Sequence, residues 1–433
     1  MTAKQQVQDL LDFIDASPSP WHAAAAIEQR LQAFKFQRLR ESASWSLSSG
    51  CRYYVVRDDS SIILFVMGKK PLAETGFKIL GAHTDSPGLR VKPNPMLNSD
   101  KLLRLAVEIY GGPILATFTD RDLSLAGRIA YQNDDGSIAS RLLHFEQPLL
   151  RLPNLAIHMN RAVNEDGLKL NKQTELAAIF STTTEQQLPA DHFHHLLEQA
   201  SGIKADRILS WDMNVYDTQK GVFWGPDQEF YADSQLDNLA SCHAGLTALL
   251  DETTLDSDST LICAFFDHEE IGSESCKGAA GSFLPDILQR IAMATDSNKD
   301  GYQRALANSF MISADMAHAY QPNYPAAYEP GHKIIVNQGP VIKINANHRY
   351  ATECLAEAQF ISYCKQAGIP SQKYAHRGDL PCGSTIGPIA SAKLGIRTVD
   401  VGNPMWAMHS IRESAGVHDH HFMIRALNCF FRS

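Results

Sequence analysis

Six short segments of this 433-residue chain carry an unusual set of acidic and imidazole groups. They are GAHTDSPG with His83, SQLDNL with Asp237, FFDHEEIGSES with Glu269 and Glu270, SADMAHA with Asp315, RGDLPCGSTIGP with Asp379, and AMHSIRE with His409. Most of these groups end an apolar run just before Gly, Ser or Pro, where a strand of an α/β sheet delivers side chains into a shared cleft. Carboxylates and imidazoles converging there describe a hydrolase that works with two metal ions.

Each segment alone has a blander reading. His83 is a candidate ligand and Asp85 the acceptor that fixes its ring, yet a lone HxD more often marks a hydrogen-bonded structural histidine. In DHEEIGSES one turn offers a general base, Glu269, and a ligand, Glu270; a solvated acidic turn is the alternative. The HExxH zinc helix is absent, because the fourth residue after His268 is Gly272. Asp237 could be an ordinary first-turn acid, and Asp315 and His409 could each be structural. Charge balance favours the group: Asp237, Glu270, Asp315 and a hydroxide offset two divalent ions, with His83 and His409 neutral. Nitrogen and oxygen donors without thiolate suit zinc and also accept cobalt or manganese.

Elements must bring these segments together. The pattern predicts helices over 5–15 and 21–33, strands over 52–57, 61–67 and 77–83, a helix over 235–250, and strands over 261–267 and 309–315. A helix near 351–367, a strand near 397–401 and a closing helix near 418–431 complete an α/β fold, a mixed sheet covered by helices. Between 93 and 232 the texture changes to short strand-like pieces such as LAVEIYG and LAGRIAY, followed by a polar stretch from Ser181 to His195. This reads as a β-rich second domain, 93–232, inserted into a discontinuous catalytic domain formed by 1–92 and 233–433.

Apolar residues at 44% and charged residues at 20% are ordinary for a soluble enzyme. A net charge of -9 gives no basic footprint for nucleic acid. The eight cysteines form no CxxC pair, which suits reduced thiols in the cytoplasm. The N-terminus has no uninterrupted apolar core of a signal peptide, and no stretch is long enough to cross a bilayer.

GAHTDSPGLRVKP, LAIHMNR, DNLAS, DHEEIGSES, SADMAHA, PNY, GPVIK, PCGSTIGP and AMHSIRE follow one another over nearly the whole length. In order and approximate spacing the chain resembles the aspartyl aminopeptidase family of dinuclear zinc peptidases. The resemblance implies a fold of the zinc aminopeptidase type and release of an unblocked N-terminal Asp or Glu from small peptides. It implies that Asp237 bridges two zinc ions, that His83 and Asp315 complete one site, that Glu270 and His409 complete the other, and that Glu269 is the base. It places Lys343 near the substrate, where a compact ammonium can bind an acidic side chain; a lysine on a solvent-facing strand edge is the alternative, and His318 and His332 are further pocket candidates. It has His158 reach a neighbouring subunit's site to stabilise the oxyanion, in a homo-oligomer, a dodecamer built from dimers. Gly378 stands where relatives commonly carry Asn, and Gln321 where some relatives carry His, which touches substrate preference more than chemistry.

Other readings compete. His83, His158 and His409 could form a three-imidazole zinc site, which leaves three strand-end carboxylates without a role. The two-metal site could serve a neutral residue or an acylamino acid. A non-catalytic assembly protein would need a damaged metal set, which the residues do not show.

Overall fold

A computed structural model describes residues 1–182, 189–254, 256–295 and 297–433; the stretch from Ser181 to His195 lies partly outside them. The apolar runs form the middle of a nine-stranded mixed sheet. Its order is Gln37–Arg38, Arg52–Arg57, Ser61–Val66, Thr260–Phe266, Phe77–His83, Phe310–Ala314, Arg397–Gly402, Val341–Ile344, Gln372–Ala375. The four strands from Thr260–Phe266 to Arg397–Gly402 run parallel. Every residue of Thr260–Phe266 is buried, as a parallel strand covered on both faces must be.

Alternation decides which face each side chain serves. Ile62, Leu64 and Val66 point into one core with residues of the helices Ala3–Asp15, Leu236–Leu249, Cys354–Ala367 and Val417–Arg432. Ile63 and Phe65 point into the other, with Phe283–Ala294 and Ile386–Leu394. The helix-covered mixed sheet expected from the sequence is the fold that forms. The helix expected over 235–250 departs at its start, where Asp237 and Asn238 have non-helical φ/ψ.

A second, antiparallel sheet orders Ile138–His144, Leu123–Gln132, Ile208–Asp217, Gly88–Ser99, Leu102–Tyr110 and Ala178–Thr182. All its strands come from residues 88–217, and it has its own core of Leu89, Leu105, Leu125, Met213 and Val215 with Phe193 and Leu197. A third sheet was not anticipated, because its strands are only two to four residues long. It pairs Val222–Trp224 and Phe230–Asp233 with Glu413–Gly416, Pro404–Trp406 and Ala317–His318. This small sheet brings the approach to Asp237 beside the turn that carries His409. Among the described residues no helix is long and apolar enough to cross a membrane.

Candidate metal centre

Three neighbouring parallel strands end on one side of the large sheet. His83 is the last residue of its strand and pairs with Phe266, after which the chain turns through His268 at φ 67° into the short 3-10 turn Glu269–Ile271. Asp315 directly follows Phe310–Ala314. Asp237 stands on irregular backbone at the start of its helix, anchored where Asn238 Nδ2 donates to Ala314 O at 2.9 Å. His409, at φ 68°, lies on the turn between Pro404–Trp406 and Glu413–Gly416.

The carboxylate of Asp237 faces two imidazoles at once. Oδ1 lies 3.5 Å from His83 Nε2, and Oδ2 lies 3.5 Å from His409 Nε2. His409 Nε2 is also 3.5 Å from Glu270 Oε2, and His83 Nε2 is 3.9 Å from Asp315 Oδ1. The other ring nitrogens face backbone oxygens: His83 Nδ1 lies 3.0 Å from Asp85 O, and His409 Nδ1 lies 3.1 Å from Gly112 O. With Nδ1–H donating to those oxygens, both rings turn an Nε2 lone pair toward the carboxylates, the tautomer a metal ligand needs. His83, Asp237 and Glu270 bring ligand atoms within 4.8 Å of one another, as do His83, Glu269 and Asp315.

Asp85 is fully buried and organises the turn opposite. Its carboxylate accepts from the backbone N–H of Glu269 and of Glu270, each at 3.1 Å, and from Tyr110 Oη at 2.7 Å.

The charge pattern calls for a cation. Burial, joined by the nearby carboxylates against the pull of His83, pushes Glu269 up to about 8. Burial and then Asp237 raise Glu270 well above the ordinary carboxyl range. Burial works against charge on Asp237, but His409 and His83 hold its carboxyl far below the usual value. Asp237 Oδ1 is buried with no hydrogen-bond donor, which is costly unless a positive partner meets it. The donor set of carboxylate oxygens and imidazole nitrogens fits zinc.

Lys343 does not lie on a solvent-facing strand edge. It is 3% exposed; its Nζ donates to Met316 O at 3.1 Å, lies 3.5 Å from Asp315 Oδ2, and sits over the Tyr350 ring. His318 shares this corner, where burial and then Lys343 depress its pKa to about 4. His332 is exposed and paired with Glu329. Asp379 is also exposed, paired with Arg377, so its segment does not bring a carboxylate to the cluster. His158 lies on an exposed stretch with Leu155, Ile157 and Met159, and belongs to neither group of converging ligand atoms among the described residues. The three-imidazole arrangement is therefore not assembled within one chain.

Two site neighbours escaped the sequence reading. Tyr110 ends a strand of the second sheet, and its EIYGG context carries no chemical signature. Glu413 is 2% exposed and lies four residues after His409, beside Arg412, where it reads as half of a solvated charge pair.

Comparison with known proteins places the chain in a family. The family model described as aminopeptidase I zinc metalloprotease (M18) matches residues 13–431. The chain is 45% identical over 433 residues to a probable M18 family aminopeptidase 2 of Ectopseudomonas mendocina, covering 99% of both chains. It is 46% identical over 430 residues to the protein of the same description from Stutzerimonas stutzeri, covering 98% of both. Among solved structures, a chain of the Ape4 and Nbr1 complex superposes with TM-score 0.95 at 37% identity, covering 99% of this chain and 86% of that one. A chain of the "S. cerevesiae mApe1 dodecamer" gives TM-score 0.84 at 27% identity, covering 98% and 95%.

Proposed function

Since the chain belongs to the M18 family and is a metallo-aminopeptidase, we propose that it releases unblocked N-terminal Asp or Glu from peptides by activating water with two metal ions. The observation that carries this reading is Asp237, whose two oxygens face two separate imidazoles, each with a further carboxylate beside it. His83 and Asp315 would hold one ion, Glu270 and His409 the other, and Asp237 both. Zinc is the expected metal, with cobalt or manganese as substitutes. Bound there, the ions supply Lewis-acid polarisation of the scissile carbonyl and lower the pKa of water.

The chain's own residues do the rest. Glu269, on the turn fixed by Asp85, takes the proton of the attacking water and passes it to the departing amine. Lys343 Nζ sits in a buried corner, and its contacts with Met316 O and Asp315 leave donor capacity for a substrate side-chain carboxylate. The same Asp315 faces His83 with Oδ1 and Lys343 with Oδ2, which ties substrate recognition to the metal ligands. His318 lines this corner, and His332 is at most peripheral.

Residues 1–92 and 233–433 would then form the catalytic domain, and 93–232 an insert that makes subunit contacts in a cytoplasmic homo-oligomer. The similarity to a dodecamer's chain supports that assembly, and so does the exposed apolar stretch around His158. From there His158 would reach a neighbouring subunit's site and donate to the oxyanion.

The test is hydrolysis of dipeptides with N-terminal Asp, Glu, Leu or acetyl-Asp by metal-free protein and after zinc, cobalt or manganese is restored. Metal-dependent release of free Asp and Glu alone is expected. Preference for Leu or acetyl-Asp would overturn the pocket, and no turnover with any metal would overturn the activity.

A further inference from the structure

Asp237 and His409 both sit on backbone that regular structure does not hold. Asp237 has φ -82° and ψ 103° at the start of its helix, and His409 is in the left-handed region. Their N–H groups have no helical or ladder acceptor, and a buried N–H must find one. Both find the same one. Glu413 Oε2 accepts from Asp237 N at 3.0 Å, and Oε1 accepts from His409 N at 2.7 Å.

This buried carboxylate is committed to two backbone groups from opposite parts of the chain. Its neighbour Arg412 turns away, donating to Gln219 O and Lys220 O. Glu413 itself is held by the third sheet, where it pairs with Asp233. A rigid carboxylate spanning two amides fixes their separation. We propose that Glu413 is a positioning residue that sets the spacing between Asp237 and His409, and with it the geometry and affinity of the metal held between them. This rests on the ligand assignment proposed above.

The molecule contains a matched control. Asp419 is equally buried and accepts from two backbone amides, Asn337 N and Gly339 N, none of them from a candidate ligand. A merely structural role would make the two carboxylates equivalent.

The experiment uses the full-length protein, stripped of metal and titrated with zinc by calorimetry and with Co(II) by visible absorption, for wild type, Glu413→Gln, Glu413→Asp, Asp419→Asn and Asp237→Asn. In Glu413→Gln an amide NH2 replaces one acceptor and opposes a backbone N–H. One metal equivalent should bind roughly 10- to 100-fold more weakly, the range for loss of a group that orients a ligand, with a changed Co(II) spectrum. Glu413→Asp keeps both oxygens and should fall between Glu413→Gln and wild type. Asp419→Asn should lower Tm while leaving affinity and spectrum as in wild type. Wild-type affinity and spectrum in Glu413→Gln, or equal changes in Asp419→Asn, would overturn the proposal. Should Glu413→Gln not fold, Glu413→Asp decides: an altered spectrum supports the role and a wild-type one removes it. Full metal binding by Asp237→Asn would instead overturn the ligand assignment and this proposal together, whereas silence of Glu413 alone leaves that assignment standing.

Discussion

The cleft at the ends of the parallel strands and the stretch around His158 use the same kind of residue under opposite conditions. In the cleft, His83 is buried, its Nδ1 is held by Asp85, and its Nε2 faces two carboxylates. His158 is exposed among Leu155, Ile157 and Met159, where a monomer would present an apolar surface to water. One region contains its own partners; the other, on the proposed reading, meets them on a neighbouring subunit. A buried cluster of charges can be organised by the strands that carry it, whereas an exposed histidine flanked by apolar side chains acquires a role only through another surface.

That contrast can be broken most sharply at Glu269. Glu269→Gln should retain metal, checked by elemental analysis, and lower turnover by about 10²- to 10⁴-fold, as loss of a general base does. Undiminished turnover would remove Glu269 from the chemistry.

His158→Ala tests the other region. Loss of an oxyanion donor lowers kcat by about 10² or more, while an exposed substitution shifts stability by no more than about 0.5 kcal/mol. The expected result is low kcat with unchanged Tm and unchanged metal content. Equal activity in mutant and wild type would mean that the exposed stretch takes no part in catalysis.

Lys343→Ala sharpens the division within the cleft. Removing one partner of a buried charge pair costs about 2 kcal/mol or more, and here the loss should fall on Asp and Glu substrates, while the residual turnover of a Leu dipeptide stays at its low wild-type level. A uniform loss in kcat/KM across the dipeptide series would put Lys343 in structural support of Asp315 instead.

The smallest effect lies behind the site. His243 and His420 are buried and joined Nδ1 to Nε2 at 2.9 Å, and burial lowers the pKa of both. The unfolded chain therefore binds more protons than the native one below the ordinary imidazole value near 6.5. Their contribution is complete above that pH and declines as pH falls below it, by at most about 1.4 kcal/mol per pH unit for each group. Urea unfolding between pH 7 and 5 should show a shallower decline for His420→Gln than for wild type. Identical pH dependence would dismiss the pair as a source of acid lability.

The legible and illegible parts of the site differ in what holds them. His83, Asp315 and the Glu269–Glu270 pair each lie at or just past the end of an apolar run, and the parallel register brings those ends together. Asp237 and His409 lie on irregular backbone, so periodicity marked neither; the order of motifs did. Lys343 was legible only through the resemblance, since residue type alone suits a solvent-facing edge, and the short strand Val341–Ile344 between Arg397–Gly402 and Gln372–Ala375 is what buries it. Asp379 shows the converse, an acid in a motif-rich segment that folds outward to meet Arg377. Glu413 was invisible because its burial depends on a sheet whose strands are too short to leave a period.

On the proposed reading Asp237 is shared between two metal ions. Anomalous scattering from crystals of the zinc-loaded protein, recorded on both sides of the zinc edge, tests it most directly. Two peaks are expected, one by His83 and Asp315 and one by Glu270 and His409, with Asp237 touching both. A single peak bound by His83 and His409 with a third imidazole from His158 would contradict it.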